Sequence, residues 1–190
     1  NSENVVLTGG NFVGTVYSAI EGIISGGTFS EEPYSGYLAD GFICEPNADG
    51  TYSVIEEPIY TQTIQLSAGW NWFSSYVETD LDSLQAALGT SGVQIEGKNG
   101  YVEYYGEEYG WLGDDISLLP SQMYMIQTSS SVELELSGEL LEGVEITLNK
   151  GWNWISFPMN TSTLVNDALS KLSANNDDVI EGKSGYATYY

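Results

Sequence analysis

The tetrapeptide GWNW occupies Gly69–Trp72 and returns at Gly151–Trp154. Together the two copies hold four of the five Trp in the chain, so whatever they do is done twice. Around them the sequence repeats as well. "TIQLSAGWNWFSSYVETDLDSLQAAL" (63–88) aligns with "EITLNKGWNWISFPMNTSTLVNDAL" (145–169), and Trp70 falls on Trp152 at an offset of 82. Farther on, "EGKNGYVEYY" (96–105) aligns with "EGKSGYATYY" (181–190) at an offset of 85, with three residues inserted in "SANNDD". This is an internal duplication with a period of about 82–85 residues. The second copy reaches only the counterpart of Tyr105, so we expect a complete module over 61–142 and an incomplete one over 143–190. An incomplete module should expose an edge or lack part of its core.

The local pattern of one module is mostly β. "TIQLS" alternates as a strand does, Ala68-Gly69 reads as a turn, and "WNWFSSYV" reads as the hairpin partner. A helix follows, with Thr79 or Asp80 as N-cap, Leu81, Leu84 and Leu88 at helical spacing, and Gly89 as the stop. The second copy repeats this after Thr161–Thr163, with Leu164, Ala168, Leu169 and Leu172. "YVEYY" and "YGWLG" flank a turn and predict a second hairpin, and "QMYMIQT" and "VELELSG" close the unit. Each module is therefore α+β, with several short strands and one short helix.

The first sixty residues follow another rule. "LTGGNF" (7–12) and "ISGGTF" (24–29) stand 17 residues apart, as successive coils of a β-solenoid would. "YLADGFICEPNADGTYSVI" then predicts a closing strand and a hairpin turning at Asp49-Gly50, where a solenoid needs its cap.

Charge and missing residue types restrict function. Asp and Glu number 27 against four Lys, and there is no Arg or His, for a net charge of −23. Such a chain repels nucleic acid and anionic lipid, and no apolar run is long enough for membrane insertion. Without His there is no Ser–His or Cys–His nucleophile and no imidazole metal ligand; without Arg there is no bidentate phosphate clamp. The single Cys44 rules out an intramolecular disulfide framework. With 27 acids, some carboxylate pair meets glycosidase spacing by chance, and nothing in the sequence singles one out as catalytic.

The residues also carry a resemblance. Ile24–Ser30 (GGTFS type), Tyr37–Gly41 (Tyr-x-Ala-Asp-Gly) and Asp49–Tyr52 (Asp-Gly-Thr-Tyr) resemble the C-terminal end of right-handed β-helix regions in large surface proteins of gut bacteria. "IQLSAGWNWFSSYV", "GWLGDDISLLPSQMYMIQT" and "LELSG" resemble a repeat of exported Bacteroidetes proteins and some of their phages. The resemblance implies a mainly β protein: the end of a right-handed β-solenoid over 1–60, then two GWNW modules. It implies an extracellular or cell-surface, non-catalytic protein for adhesion, glycan or matrix binding, or spacing. Glycans or host and matrix proteins are the implied partners. Two alternatives stay open: an accessory region of a polysaccharide-degrading β-helix enzyme, and a phage fibre component.

Three sets of residues are candidates for roles. Trp70 and Trp72 share one face of a strand, and Asn71, Phe73, Ser75 and Val77 the other. The Trp face is either a platform for sugar rings or a second core layer. Trp is highly buried on average, so Trp70, Trp72, Trp152 and Trp154 are expected to be structural and to build the cores. Tyr101, Tyr104, Tyr105, Tyr109 and Trp111 interleave with Glu103, Glu107 and Glu108; they form the expected ligand surface, with cross-strand aromatic pairing as the rival reading. In "EPNADGTYSVIE", Glu45, Asn47, Asp49 and Glu56 fall at calcium-loop spacing, but Glu replaces the leading Asp and the flanks are strands. No other cofactor is expected.

Overall fold

The computed structural model describes residues 6–190. Among the described residues the protein is mainly β, 38% strand against 10% helix, with no closed barrel. It divides into two compact units, Asn1–Ile59 and Tyr60–Tyr190.

In the first unit, β1 (Leu7–Phe12) and β2 (Ile24–Phe29) pair in parallel. Leu7 lies opposite Ile24 and Phe12 opposite Phe29, the 17-residue spacing of the sequence. The two Phe rings stack at 4.7 Å and 13°. Two further strands, β3 (Phe42–Pro46) and β4 (Tyr52–Glu56), form a hairpin whose β4 pairs antiparallel to β2, giving the order β1-β2-β4-β3. Ile24, Phe29 and Val54 are its buried centre.

The first module builds two layers. One is a five-stranded sheet in the order β6-β10-β7-β8-β9: β6 (Gly69–Phe73), β7 (Gly92–Gly97), β8 (Gly100–Tyr104), β9 (Trp111–Gly113) and β10 (Tyr124–Thr128). The other is the pair β5 (Tyr60–Leu66) and β11 (Val132–Gly138), with helix α1 (Leu81–Leu88). Phe73, Ile95, Val102 and Ile126 meet Leu84 and Leu88 of α1 and Leu66, Leu134 and Leu136 of the strand pair. Burying each of these Leu or Ile side chains is worth about 1.5–3 kcal/mol. Asp80 caps α1 by accepting from Ser83 N at 2.7 Å, and Gly89 ends it.

Two expectations change here. The strands flanking Ala68-Gly69 do not pair with each other: β5 pairs with β11, and β6 with β10. The turn is a corner between layers, not a hairpin. It is held by Asn71, which accepts from Ser67 N at 3.0 Å and donates to Ser67 O at 2.8 Å and Gly69 O at 3.0 Å. Gly69 has φ +92°, a conformation that favours glycine. Gln62, also buried, ties β5 to the next segment by accepting from Tyr76 N and the Ser75 hydroxyl, both at 2.9 Å.

The second change concerns copy two. Its corner is present: Asn153 makes the same three bonds to Asn149 and Gly151, at 3.0, 2.8 and 2.9 Å, and Gly151 has φ +98°. So is the hairpin of β12 (Val179–Gly182) and β13 (Gly185–Thr188), with Ile180 opposite Ala187 as Ile95 is opposite Val102. The helix shrinks to α2 (Val165–Ala168), and residues 152–155 form no strand. Strand order gives the reason. In copy one, β6 is bonded only to β10 and β5 only to β11, whereas β7 and β8 bond each other. Within residues 143–190 there are counterparts of β5 to β8 and none of β9 to β11, so only the self-sufficient hairpin forms.

Candidate ligand surface

Alternation along each strand sends every second side chain to the face of the five-stranded sheet away from the core. The pairing registers align those side chains in two rows. Trp72, Met125, Glu96 and Tyr101 stand opposite one another across β6, β10, β7 and β8. Trp70, Gln127, Gln94, Glu103 and Leu112 form the next row, reaching β9. Three strand spacings of about 4.8 Å separate Trp72 from Tyr101, so the first row is roughly 14 Å long.

This overturns the expectation that Trp70 and Trp72 build the core of the first module. They are 41% and 38% exposed, while Asn71 and Phe73 between and beside them are 4% and 3% exposed. The physical reason is the corner: Asn71 must point inward to clamp Ser67 and Gly69, and strand alternation then forces both Trp outward. In copy two Trp152 is 68% exposed and Trp154 half-buried, so neither is the centre of a packed core.

The Tyr-rich hairpin is divided by the same alternation. Tyr101 and Tyr105 lie on the open side, 47% and 54% exposed. Tyr105 donates its hydroxyl to Glu103 Oε2 at 3.0 Å. That hydrogen bond, together with the carboxylate's charge, pushes the Tyr105 phenol up from its ordinary pKa. Tyr104 and Trp111 face the other way. Their rings meet at 5.4 Å, and Trp111 packs on the main core and lies over Gly92. Tyr109 sits in the turn between β8 and β9 and is exposed. The expected ligand set of five therefore contributes Tyr101 and Tyr105 to the open face, and the sequence reading missed Gln94, Glu96, Met125 and Gln127. Their signal was present in the alternation of "GVQIEG" and "YMIQT", but only the register shows that they share rows with the Trp.

The calcium spacing does not become a site. Glu45 stands opposite Ser53 and Glu56 opposite Phe42, three rungs apart along the β3–β4 ladder, or roughly 10 Å. Asn47 donates to the Thr51 and Ser53 hydroxyls, and Asp49 accepts from Thr51 N and Oγ1 at 3.0 and 2.6 Å. These hydrogen bonds close a hairpin turn and hold the Asp49 carboxyl below the usual range. Among the described residues no group of three or more acidic or thiol side chains is placed to hold a metal. Nor is any helix among them long and apolar enough to cross a membrane.

Elsewhere in the module, a cleft of about 70 Å³ lies between Phe73, Val77, Leu118, Pro120 and Tyr124. It is smaller than the apolar cavities, of about 150 Å³, that accept a benzene-sized guest. The broader groove of about 640 Å³ beside Glu78–Ser83 and Asp115–Leu118 is wide open, and the helix terminus it reaches is already capped by Asp80. The open sheet face combines the exposed aromatic side chains Trp70, Trp72 and Tyr101 with spaced hydrogen-bonding groups. No family model, curated protein or solved structure matches the chain.

Proposed function

We propose that the chain is a non-catalytic, extracellular or cell-surface protein whose complete module binds glycan on the open face of its five-stranded sheet. The observation that carries this is the pair of rows with Trp70 and Trp72 at one end and Tyr101 at the other. Aromatic rings offer apolar faces to the C–H faces of sugar rings. Gln94, Gln127, Glu96 and Glu103 between them supply amide donors and carboxylate acceptors for hydroxyls. A flat, ladder-spaced surface suits an extended saccharide better than a compact ligand. The net charge of −23 favours neutral over acidic glycans, since like charges repel.

Residues 6–59 are read as the last coils and cap of a right-handed β-solenoid that carries the modules. Parallel pairing of β1 on β2 at 17 residues, with Phe12 stacked on Phe29, supports this reading. The β3–β4 hairpin, added antiparallel, ends the parallel stack in the manner of a cap. Adhesion, or presentation of a glycan-binding module away from a cell surface, is the role that follows.

The test is a glycan and mucin array with the whole chain, against Trp70→Ala/Trp72→Ala and Tyr101→Ala. All three side chains are exposed, so the variants keep the fold. Binding that disappears in the double variant and weakens in Tyr101→Ala establishes the platform. Binding unchanged in the double variant, or none by the parent chain, refutes it.

A further inference from the structure

The carboxylates of the open face narrow the class of glycan, an inference that rests on the glycan-binding reading above. The stretch "EGKNGYVEYYGEEYGWLGDD" (96–115) carries six acids against one Lys, about twice the acid density of the whole chain, which has 27 in 190 residues. Two of the six, Glu96 and Glu103, stand in the two rows. They occupy diagonal positions on β7 and β8, about 7–8 Å apart. The Glu96 carboxylate has no hydrogen-bond or ion-pair partner among the described residues. Glu103 accepts from the Tyr105 hydroxyl on Oε2, which leaves Oε1 open. Lys98, in the β7–β8 turn, pairs with neither acid, and Lys183 donates to Trp70 O at 3.4 Å, at the far end of its row. We propose that this face takes an oligosaccharide bearing free amino groups, with one protonated amine between Glu96 and the ring of Tyr101 and a second at Glu103.

Tyr101 stands directly opposite Glu96, with Cβ atoms about 4.5–5.5 Å apart. An ammonium seated there meets a carboxylate on one side and an aromatic face on the other. The two like-charged acids also repel each other, and a cationic ligand relieves that repulsion. A neutral glycan leaves both charges uncompensated, and an acidic one adds to them. A Lys-rich peptide would supply amines too. It brings no sugar-ring faces for Trp70 and Trp72, and no row of hydroxyls for Gln94 and Gln127. An amino sugar engages the rings, the amides and the acids together.

The test titrates the whole chain with three probes at about pH 6, where such amines are protonated. They are a glucosamine oligosaccharide, its fully N-acetylated form of the same length, and an oligolysine of the same charge. The glucosamine form should bind about tenfold more tightly than the acetylated form, from two exposed ion pairs and one cation–π contact. That advantage should fade as salt rises to about 1 M, where charges are screened beyond about 3 Å. Glu96→Gln/Glu103→Gln should bring the two sugars level, because Gln keeps an acceptor and loses the charge. Both acids lie outside the core, so the variant keeps the fold. The proposal is overturned by an advantage that survives this variant, or by oligolysine binding as tightly as the glucosamine form. Equal binding of the two sugars, or none of the glucosamine form, by a chain that still binds glycans on the array overturns this inference alone. A blank array overturns the glycan reading with it.

Discussion

Replacing Asn71 by Ala tests the account of GWNW directly. Beside a longer hydrogen bond, at 3.5 Å, to Ile126 O of β10, the side chain makes three at 2.8–3.0 Å to the corner between β5 and β6. Each is worth about 1 kcal/mol net. Ser67 O keeps a donor in the Thr128 hydroxyl at 2.9 Å, and Ser67 is itself exposed, so water reaches the amide that is left behind. The loss should therefore be about 2–3 kcal/mol, without the full penalty of a buried orphan. For a unit of this size that lowers the melting temperature by roughly 10 °C. Asn153→Ala is the control. It removes the same three bonds from a corner that supports no sheet, so it should cost below about 0.5 kcal/mol, as surface changes do. Urea unfolding followed by near-UV circular dichroism gives both values at unchanged m. Equal effects from the two substitutions, or a loss below about 0.5 kcal/mol for Asn71→Ala, would refute the claim that Asn71 sets the corner and so turns the Trp outward.

Leu84 is fully buried in the core, and Leu84→Ala should cost about 2–5 kcal/mol in the same unfolding experiment. A Cβ at Gly92 would lie 2.6 Å from Trp111 Cζ2, so Gly92→Ala should displace the indole, cost about 1–3 kcal/mol and change the near-UV spectrum. Hydrogen bonds from the Ser83 side chain and backbone hold the Asp80 carboxyl below its usual pKa. The stability this gives is fully present above the unfolded value and is lost as pH falls through the lower folded value. Below about pH 4 the parent should therefore lose stability that Asp80→Ala never had, and parallel acid-unfolding curves would count against the cap. Ultraviolet titration should show one tyrosine whose ionisation moves down in Glu103→Gln, because the partner that raises Tyr105 has lost its charge.

Features set by near neighbours were legible in the sequence. Asp80 and Gly89 bracket α1, Asp49-Gly50 lies in the β3–β4 turn, and the β8–β9 pairing follows from two aromatic runs around a short turn. The pairing of β5 and β6 was misread because adjacency in the chain and a glycine turn describe a hairpin and a layer-crossing corner equally well. Only the distant partners β10 and β11 separate the two. The Trp face was misassigned for a different reason. Alternation sorts Trp70 and Trp72 from Asn71 and Phe73 without saying which set is inside. The average burial of Trp then outweighed a buried Asn whose partners are all backbone atoms, invisible to any side-chain pattern. The two rows of the open face stayed hidden because they run across four or five strands, perpendicular to the chain.

The place of β10 between β6 and β7 also governs the order in which a module can assemble. Trp72 must wait for Met125, 53 residues later, before its strand has a neighbour. Closing a loop of that length costs about 3.5 kcal/mol in chain entropy beyond a constant, whereas the β7–β8 hairpin closes across two residues. Local pieces come first and the central strand follows, zipping two edges at once. In a tandem array, each GWNW strand is exposed until its own closing strands have been synthesised. During that interval the neighbouring copy presents a strand of nearly the same design, and discrimination between the two rests on chain connectivity rather than on pairing chemistry.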